Sequence, residues 1–273
     1  MSQSKKTPIV LTIAGSDSGG GAGIQADIKA ISATGSYACS VITALTAQNT
    51  QGVSGILPIP AEFIEQQLDA VFSDLDVVAV KVGMLAEASL IHAVVNKLKQ
   101  YQPRYLVVDP VMVATSGDLL LQQSAIETLK TQLLPLADVI TPNLPEAATL
   151  LGQALPTTES QMNAMIEDLR ALDCQAVLLK GGHLEGEASS TDLLITPDNV
   201  QTFTVPRVNT QNTHGTGCTL SSAIASFMAQ TGSLSESVTL GKAYISNAIA
   251  HADELGVGHG HGPVHHFYAL NGK

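Results

Sequence analysis

Basic residues are scarce in this chain: 13 Lys and Arg stand against 24 Asp and Glu, a formal charge of −11 over 273 residues. A phosphate backbone would be repelled at long range, which argues against a nucleic-acid partner. An anionic small substrate would then need locally placed donors and a metal ion. Cysteine is equally sparse. Cys39, Cys174 and Cys218 are too few, and odd in number, for a disulfide framework, so a cytoplasmic location is expected. Long apolar runs are missing near the start, where Lys5 and Lys6 precede only Ile9 to Ala14 before glycines intervene. That is too short for a signal-peptide core or a membrane span. No charge block, low-complexity linker or long repeat breaks the chain. One domain over 1–273 is the economical expectation, and a 45% hydrophobic content supplies its core.

What is present alternates between two periods. Val77 to Met84, Tyr105 to Met112, Val139 to Asn143 and Ala176 to Gly181 are nearly continuous apolar runs, as in strands buried on both faces of a parallel sheet. Ile64, Leu68 and Val71 mark one intervening helix, and Leu90, Ile91, Val94, Val95 and Leu98 another. Thr158 to Gln161 and Ser233 to Glu236 have capping-box spacing and open two more. Asp192 to Ile195 and Phe203 to Val205 read as an edge hairpin around a Pro-Asp-Asn turn. The expected fold is α/β: a doubly wound, three-layer α/β/α sandwich around a mostly parallel central sheet. In such sheets ligands sit beyond the carboxyl ends of the strands. Gly15, Lys81 to Met84, Asp109 to Met112, Thr141 to Glu146 and Lys180 to His183 all fall at that edge. Lys180 suits a phosphate, while Asp109 and Glu146 suit Mg²⁺, directly or through water. Glu146 also reads as a plain helix N-terminal carboxylate.

Two loops carry the chemistry. Asn212-Thr213-His214-Gly215-Thr216-Gly217-Cys218-Thr219 leads into a segment with Leu220, Ile224, Phe227 and Met228 at helical spacing. Gly215 and Gly217 therefore lie at a helix start, where unpaired N–H groups and the helix dipole attract an anion. The same field is expected to favour thiolate at Cys218; the alternative is a small cysteine packing a helix start. The second loop, Gly15-Ser16-Asp17-Ser18-Gly19-Gly20-Gly21-Ala22-Gly23, joins a strand to a helix marked by Ile24, Ile28 and Ile31. It lacks the Gly-Lys-Ser/Thr of a P-loop and the spacing of G-x-G-x-x-G. No acidic residue lies in Cys39 to Thr46 to hold a ribose, so a dinucleotide site is disfavoured. Asp27 sits on the first turns of that helix, positioned to face what the loop encloses or simply to complement the helix N-terminus.

Leu11 to Asp17, the Gly-Gly-Ala-Gly-Ile-Gln-Ala-Asp run ending at Asp27, Ser40 to Thr50, and Asn212 to Cys218 together resemble the bacterial hydroxymethylpyrimidine/phosphomethylpyrimidine kinases of thiamine biosynthesis, in the ribokinase-like superfamily. The similarity extends from Ile9 through Gly262 to Phe267. It implies ATP and Mg²⁺ as cofactors, an aminopyrimidine alcohol and its monophosphate as substrates, and a homodimer. It also implies a pyrimidine site at Gly15, Ala22, Asp27, Gln48, Met84 and Val111. The Gln48 amide would meet the ring's donors and acceptors, and Met84 and Val111 would cover its faces; Gln48 also reads as a turn residue beside Asn49, Thr50 and Gly52. Asp109, Asn143, Glu146, Lys180 and Thr213 would follow the nucleotide phosphates and metal. Gly215 to Cys218 would form the anion hole, with Cys218 as general base where many sugar kinases have an aspartate. Ser18-Gly19 replaces a Pro-Ser common in relatives, and Thr115 a lysine found in some. The C-terminal histidines, His259, His261, His265 and His266, lack metal-ligand spacing and read as a surface loop. Pyridoxal kinase activity and a silent binding module are the competing functions.

Overall fold

The computed structural model describes residues 6–112, 123–184 and 188–270. Among the described residues nine strands form one sheet: β1 (Ile9–Asp17), β2 (Tyr37–Asn49), β3 (Gly52–Pro58), β4 (Val77–Val82), β5 (Tyr105–Val108), β6 (Val139–Ile140), β7 (Val177–Lys180), β8 (Ser189–Ile195) and β9 (Val200–Pro206). Their order is β3-β2-β1-β4-β5-β6-β7-β8-β9. The strands from β2 through β7 in that order pair in parallel, while β3, β8 and β9 are joined antiparallel. The chain winds from β1 out to β2 and then returns to β4 on the other side of β1. The strand order therefore reverses between β1 and β4, and a crevice opens at their carboxyl ends.

The apolar runs divide between two faces because successive strand side chains point oppositely. Leu11, Val80, Val108, Ile140 and Leu179 face one cluster, which is covered by α2 (Ala61–Phe72), α3 (Ala88–Tyr101), α4 (Gln123–Thr128), α5 (Leu144–Leu151), α6 (Glu159–Ala164) and α7 (Ile166–Arg170). Val10, Ala79, Val107, Val139 and Leu178 face the other, under α1 (Gly23–Ala33), α8 (Thr216–Thr231) and α9 (Leu234–Ala250). Helices thus cover both faces, and the fold is the expected doubly wound, three-layer α/β/α sandwich.

Helix α8 is pressed between the sheet, α1 and α9. Its small residues permit that approach, and its buried hydroxyls are all bonded: Ser221 to the Gly217 carbonyl, Ser222 to Asp27, Ser226 to Ser36 and Thr219 to His266. Among the described residues no helix is long and apolar enough to cross a membrane.

Several boundaries differ from expectation. β1 does not stop at Ala14: after a register shift it continues, pairing Ser16 and Asp17 with Leu45 and Thr46 of β2. The β2–β3 hairpin was not anticipated, because its outer half is exposed on alternate residues and carries no continuous apolar run. Thr158 and Ser233 each accept the expected N–H, from Gln161 and Glu236. A fully reciprocal capping box appears instead at the start of α5, between Asn143 and Glu146.

Candidate active site

A cavity of about 700 Å³ opens beyond the carboxyl ends of β1, β4, β5 and β7. Gly15, Ala22, Gln48, Met84 and Val111 line one end, and Asp109, Asn143, Glu146, Lys180, Thr213, Gly215, Gly217 and Cys218 contribute to the rest. Of the residues expected there, Asp27 alone is absent from the wall.

The anion end is built on the start of α8. Gly215 is its left-handed cap at φ 79°, where a Cβ would lie 1.8 Å from the Gly21 carbonyl oxygen. Only glycine fits, and the loop thereby closes on the glycine-rich loop. A Cβ on Gly217 would stand 3.3 Å from Lys180 Nζ, so the helix N–H groups and the ammonium share one space.

Lys180 Nζ donates to Asp109 at 3.0 Å, and the hydroxyls of Thr141 and Ser221 donate to the same carboxylate at 2.9 and 3.4 Å. Burial opposes both charges, but each is overruled by its partners. Asp109 is held below its ordinary pKa by Lys180 and Lys81, and Lys180 above its own by Asp109 and Glu146.

Asp109 and Glu146, expected to hold Mg²⁺ directly or through water, both line the cavity and both already have protein partners. Asp109 is engaged by Lys180, Thr141 and Ser221. Glu146 accepts the Asn143 N–H at 2.8 Å as its helix's capping carboxylate. Among the described residues no three His, Cys, Asp or Glu side chains converge as a metal site. Burial pushes the Glu146 carboxyl up to about 7, against the pull of Lys180.

Cys218 occupies the first turn of α8 on the cavity wall, as expected. The expected thiolate is not what the site favours. Burial pushes its thiol up to about 11, with Lys81 working in the opposite direction. Desolvation outweighs the field of the helix start, so the resting residue is a thiol.

Asp27, expected to face what the glycine-rich loop encloses, is set apart from the other candidate residues. Its carboxylate has no exposed surface and lies behind the wall, accepting from Thr12, Ser222 and Lys81. The fully buried Lys81 ammonium is held above its ordinary pKa: burial opposes its charge, and Asp27 more than compensates. Sequence reading placed Lys81 at a strand end without a role.

Asp17 and His214 were also missed. Asp17 accepts from the N–H groups of Gly19, Gly21 and Ala22 at 2.8 to 3.0 Å and from the His214 ring at 2.9 Å. It organises the glycine-rich loop and joins it to the anion loop. Burial raises its pKa, but these bonds, led by His214, bring it below the ordinary value. A lone carboxylate among glycines was the available signal.

Gln48 sits at a register shift in β2, so a bulge re-aims its side chain. It is a strand residue, not a turn residue. The Ser18 hydroxyl both donates to the Gln48 carbonyl and accepts its N–H, each at 2.8 Å, so this serine holds β2 at Gln48. Thr115 lies outside the described residues. The histidine segment is only partly a surface loop. His259 and His261 are exposed, whereas His265 and His266 are buried, and Thr219 lies 2.9 Å from the His266 ring.

A doubly wound sheet with a cavity at its switch point places the chain among the ribokinase-like folds, and its solved structural neighbours are vitamin kinases. The phosphomethylpyrimidine kinase family model matches residues 17–265. The chain belongs to that family. It is 55% identical over 259 residues to the hydroxymethylpyrimidine/phosphomethylpyrimidine kinase of Salmonella typhimurium, covering 95% of this chain and 97% of that protein. It is 52% identical to the thiamine biosynthesis bifunctional protein ThiED of Geobacter sulfurreducens, covering 95% of this chain and 52% of the fusion. An ADP complex of Bacillus subtilis pyridoxal kinase superposes with a TM-score of 0.89 at 32% identity, over 98% of this chain and 100% of that one.

Proposed function

We propose that this cavity transfers the γ-phosphoryl group of ATP to the hydroxymethyl oxygen of 4-amino-5-hydroxymethyl-2-methylpyrimidine. A second transfer then converts the monophosphate to the diphosphate, in thiamine diphosphate biosynthesis. The observation that carries the reading is the placement of the α8 start and Lys180 in the same cavity as Gln48, Met84 and Val111. Phosphate donors and a pocket for a flat, hydrogen-bonding ring share one space.

The residues fit a nucleotide triphosphate. Lys180 and the N–H groups of Gly215 to Cys218 stabilise charge on the transferring group, which is where a loose phosphoryl transition state needs help. Asn143 and Thr213 line the phosphate path. Asp109 and Glu146 suit a hydrated Mg²⁺, which keeps several waters and needs no protein cage. When bound, that ion would neutralise phosphate charge. Gln48, Met84, Val111, Gly15 and Ala22 seat the pyrimidine, with Asp27 acting on the pocket through Lys81. The thiolate form of Cys218, a minority at neutral pH, takes the hydroxyl proton in the first step and becomes the thiol; the second acceptor is already a phosphate and needs little base.

The whole chain works as one kinase domain, in the cytoplasm. Leu45 and Leu57, paired across β2 and β3 and 42% and 62% exposed, supply an apolar face for a homodimer. Purified protein incubated with ATP, Mg²⁺ and, separately, the pyrimidine alcohol, its monophosphate or pyridoxal tests the reading. ATP consumption with both pyrimidines is expected. Turnover of pyridoxal alone would move the activity to the chemistry of the Bacillus subtilis neighbour.

A further inference from the structure

The segment that alternates glycine and histidine near the C-terminus has no part in the chemistry above, yet it bonds to both walls of the acceptor end. The N–H groups of His259 and Gly260 donate to Thr50 Oγ1 at 3.3 and 3.2 Å, and the His261 N–H donates to the Thr50 carbonyl at 2.8 Å. Gly262 then donates to Asn212 Oδ1 at 3.0 Å, and its carbonyl accepts the His214 N–H at 3.0 Å. Pro263 continues beside His214 as a parallel bridge. The contacts explain the composition. A Cβ on Gly260 would lie 2.2 Å from the Thr50 carbonyl oxygen, and one on Gly262 would lie 2.3 Å from Asn212 Oδ1.

Thr50 stands two residues beyond Gln48, and His214 immediately precedes Gly215. The His214 ring lies 2.9 Å from Asp17 and 3.4 Å from the Gln48 amide nitrogen. One strap therefore spans the turn after the recognition strand and the loop before the anion site. We infer that residues 258–263, acting through Thr50 and Asn212, form a positioning strap that holds His214 against Asp17 and Gln48 and so sets the affinity for the acceptor. The nucleotide end shares the α8 start that follows His214, but its remainder stands on β5, β7 and α5 and is held by its own bonds among Asp109, Lys180, Asn143 and Glu146. The inference rests on the proposed reading of the Gln48 end as the acceptor subsite.

Thr50→Val removes the hydroxyl acceptor at nearly constant shape, and Thr50→Ser restores it. The valine variant is expected to raise the acceptor KM about tenfold, the effect of losing hydrogen bonds of ordinary strength, with the ATP KM nearly unchanged. The serine variant should return to wild type. A purely structural role would move both KM values together. Amide hydrogen exchange supplies a readout that needs no substrate: in Thr50→Val, exchange should quicken in residues 212–216 as well as in 258–263. Faster exchange confined to 258–263, or parallel increases in both KM values, would overturn the inference. If wild-type protein turns over neither pyrimidine, the proposed function falls, while the exchange result still decides the strap.

Discussion

Lys81 Nζ lies 2.9 Å from both carboxylate oxygens of Asp27, and neither side chain has exposed surface. Thr12 and Ser222 complete the carboxylate's shell. The pair stands between α1, β4 and α8, with Lys81 part of the cavity wall that also carries Cys218 and Asp27 behind it. Its ammonium is the main positive influence on that thiol.

Removing one partner of such a buried pair leaves the other charge uncompensated, at a cost of about 3–5 kcal/mol. Asp27→Ala should therefore lower the urea midpoint strongly, and Asp27→Ala with Lys81→Met should recover part of the loss. A single variant as stable as wild type would show that the pair contributes nothing.

Cys218 is a thiol at neutral pH, so its role as base predicts a rate that climbs with pH. Because the thiolate population grows toward about 11, kcat for the hydroxymethyl step should rise through the neutral and alkaline range. Cys218→Ala should abolish that rise and harm the first phosphorylation more than the second. Equal losses in both steps, with the pH slope intact, remove Cys218 from proton transfer.

Lys180→Gln deletes a charge aimed at the transferring phosphoryl group. Loss of one such donor lowers kcat by roughly 10²–10³. The acceptor KM should hardly change, because Lys180 stands on β7, away from Gln48. Steady-state kinetics with each substrate varied separately checks this, and a change confined to the acceptor KM would contradict it.

Glu146 gives a pH dependence of stability. Its carboxyl rises from an ordinary 4.5 to about 7, so the folded protein binds this proton more tightly than the unfolded chain does. The contribution is complete below about pH 4.5 and is lost as pH climbs through 7. Glu146→Gln keeps an oxygen for the Asn143 N–H and removes the titration. Its Tm should gain on wild type between pH 5 and pH 8; parallel curves would place the proton elsewhere.

The alternation of apolar runs and helical stripes was sufficient for the layers and the parallel core, because a strand buried on both faces has no polar side to hide. The glycine-capped start of α8 was equally legible, since its glycines stand immediately before a helical stripe in the chain. The β2–β3 hairpin was not, because a half-exposed strand with scattered threonines and alanines resembles a loop in one dimension. The strap escaped for a related reason: its glycines are required by Thr50 and Asn212, which are distant in sequence.

By itself, then, the sequence determined the doubly wound fold, the family resemblance and most residues of the cavity wall. These depend on local periodicity and on motifs whose residues are neighbours in the chain. Only the tertiary structure decided what those residues are next to. It moved Asp27 behind the wall to Lys81, turned Cys218 from an expected thiolate into a thiol, gave Glu146 a capping role and joined Asp17 to His214. Desolvation and charge pairing act through space, and they are fixed only once the packed chain has set which groups lose water together.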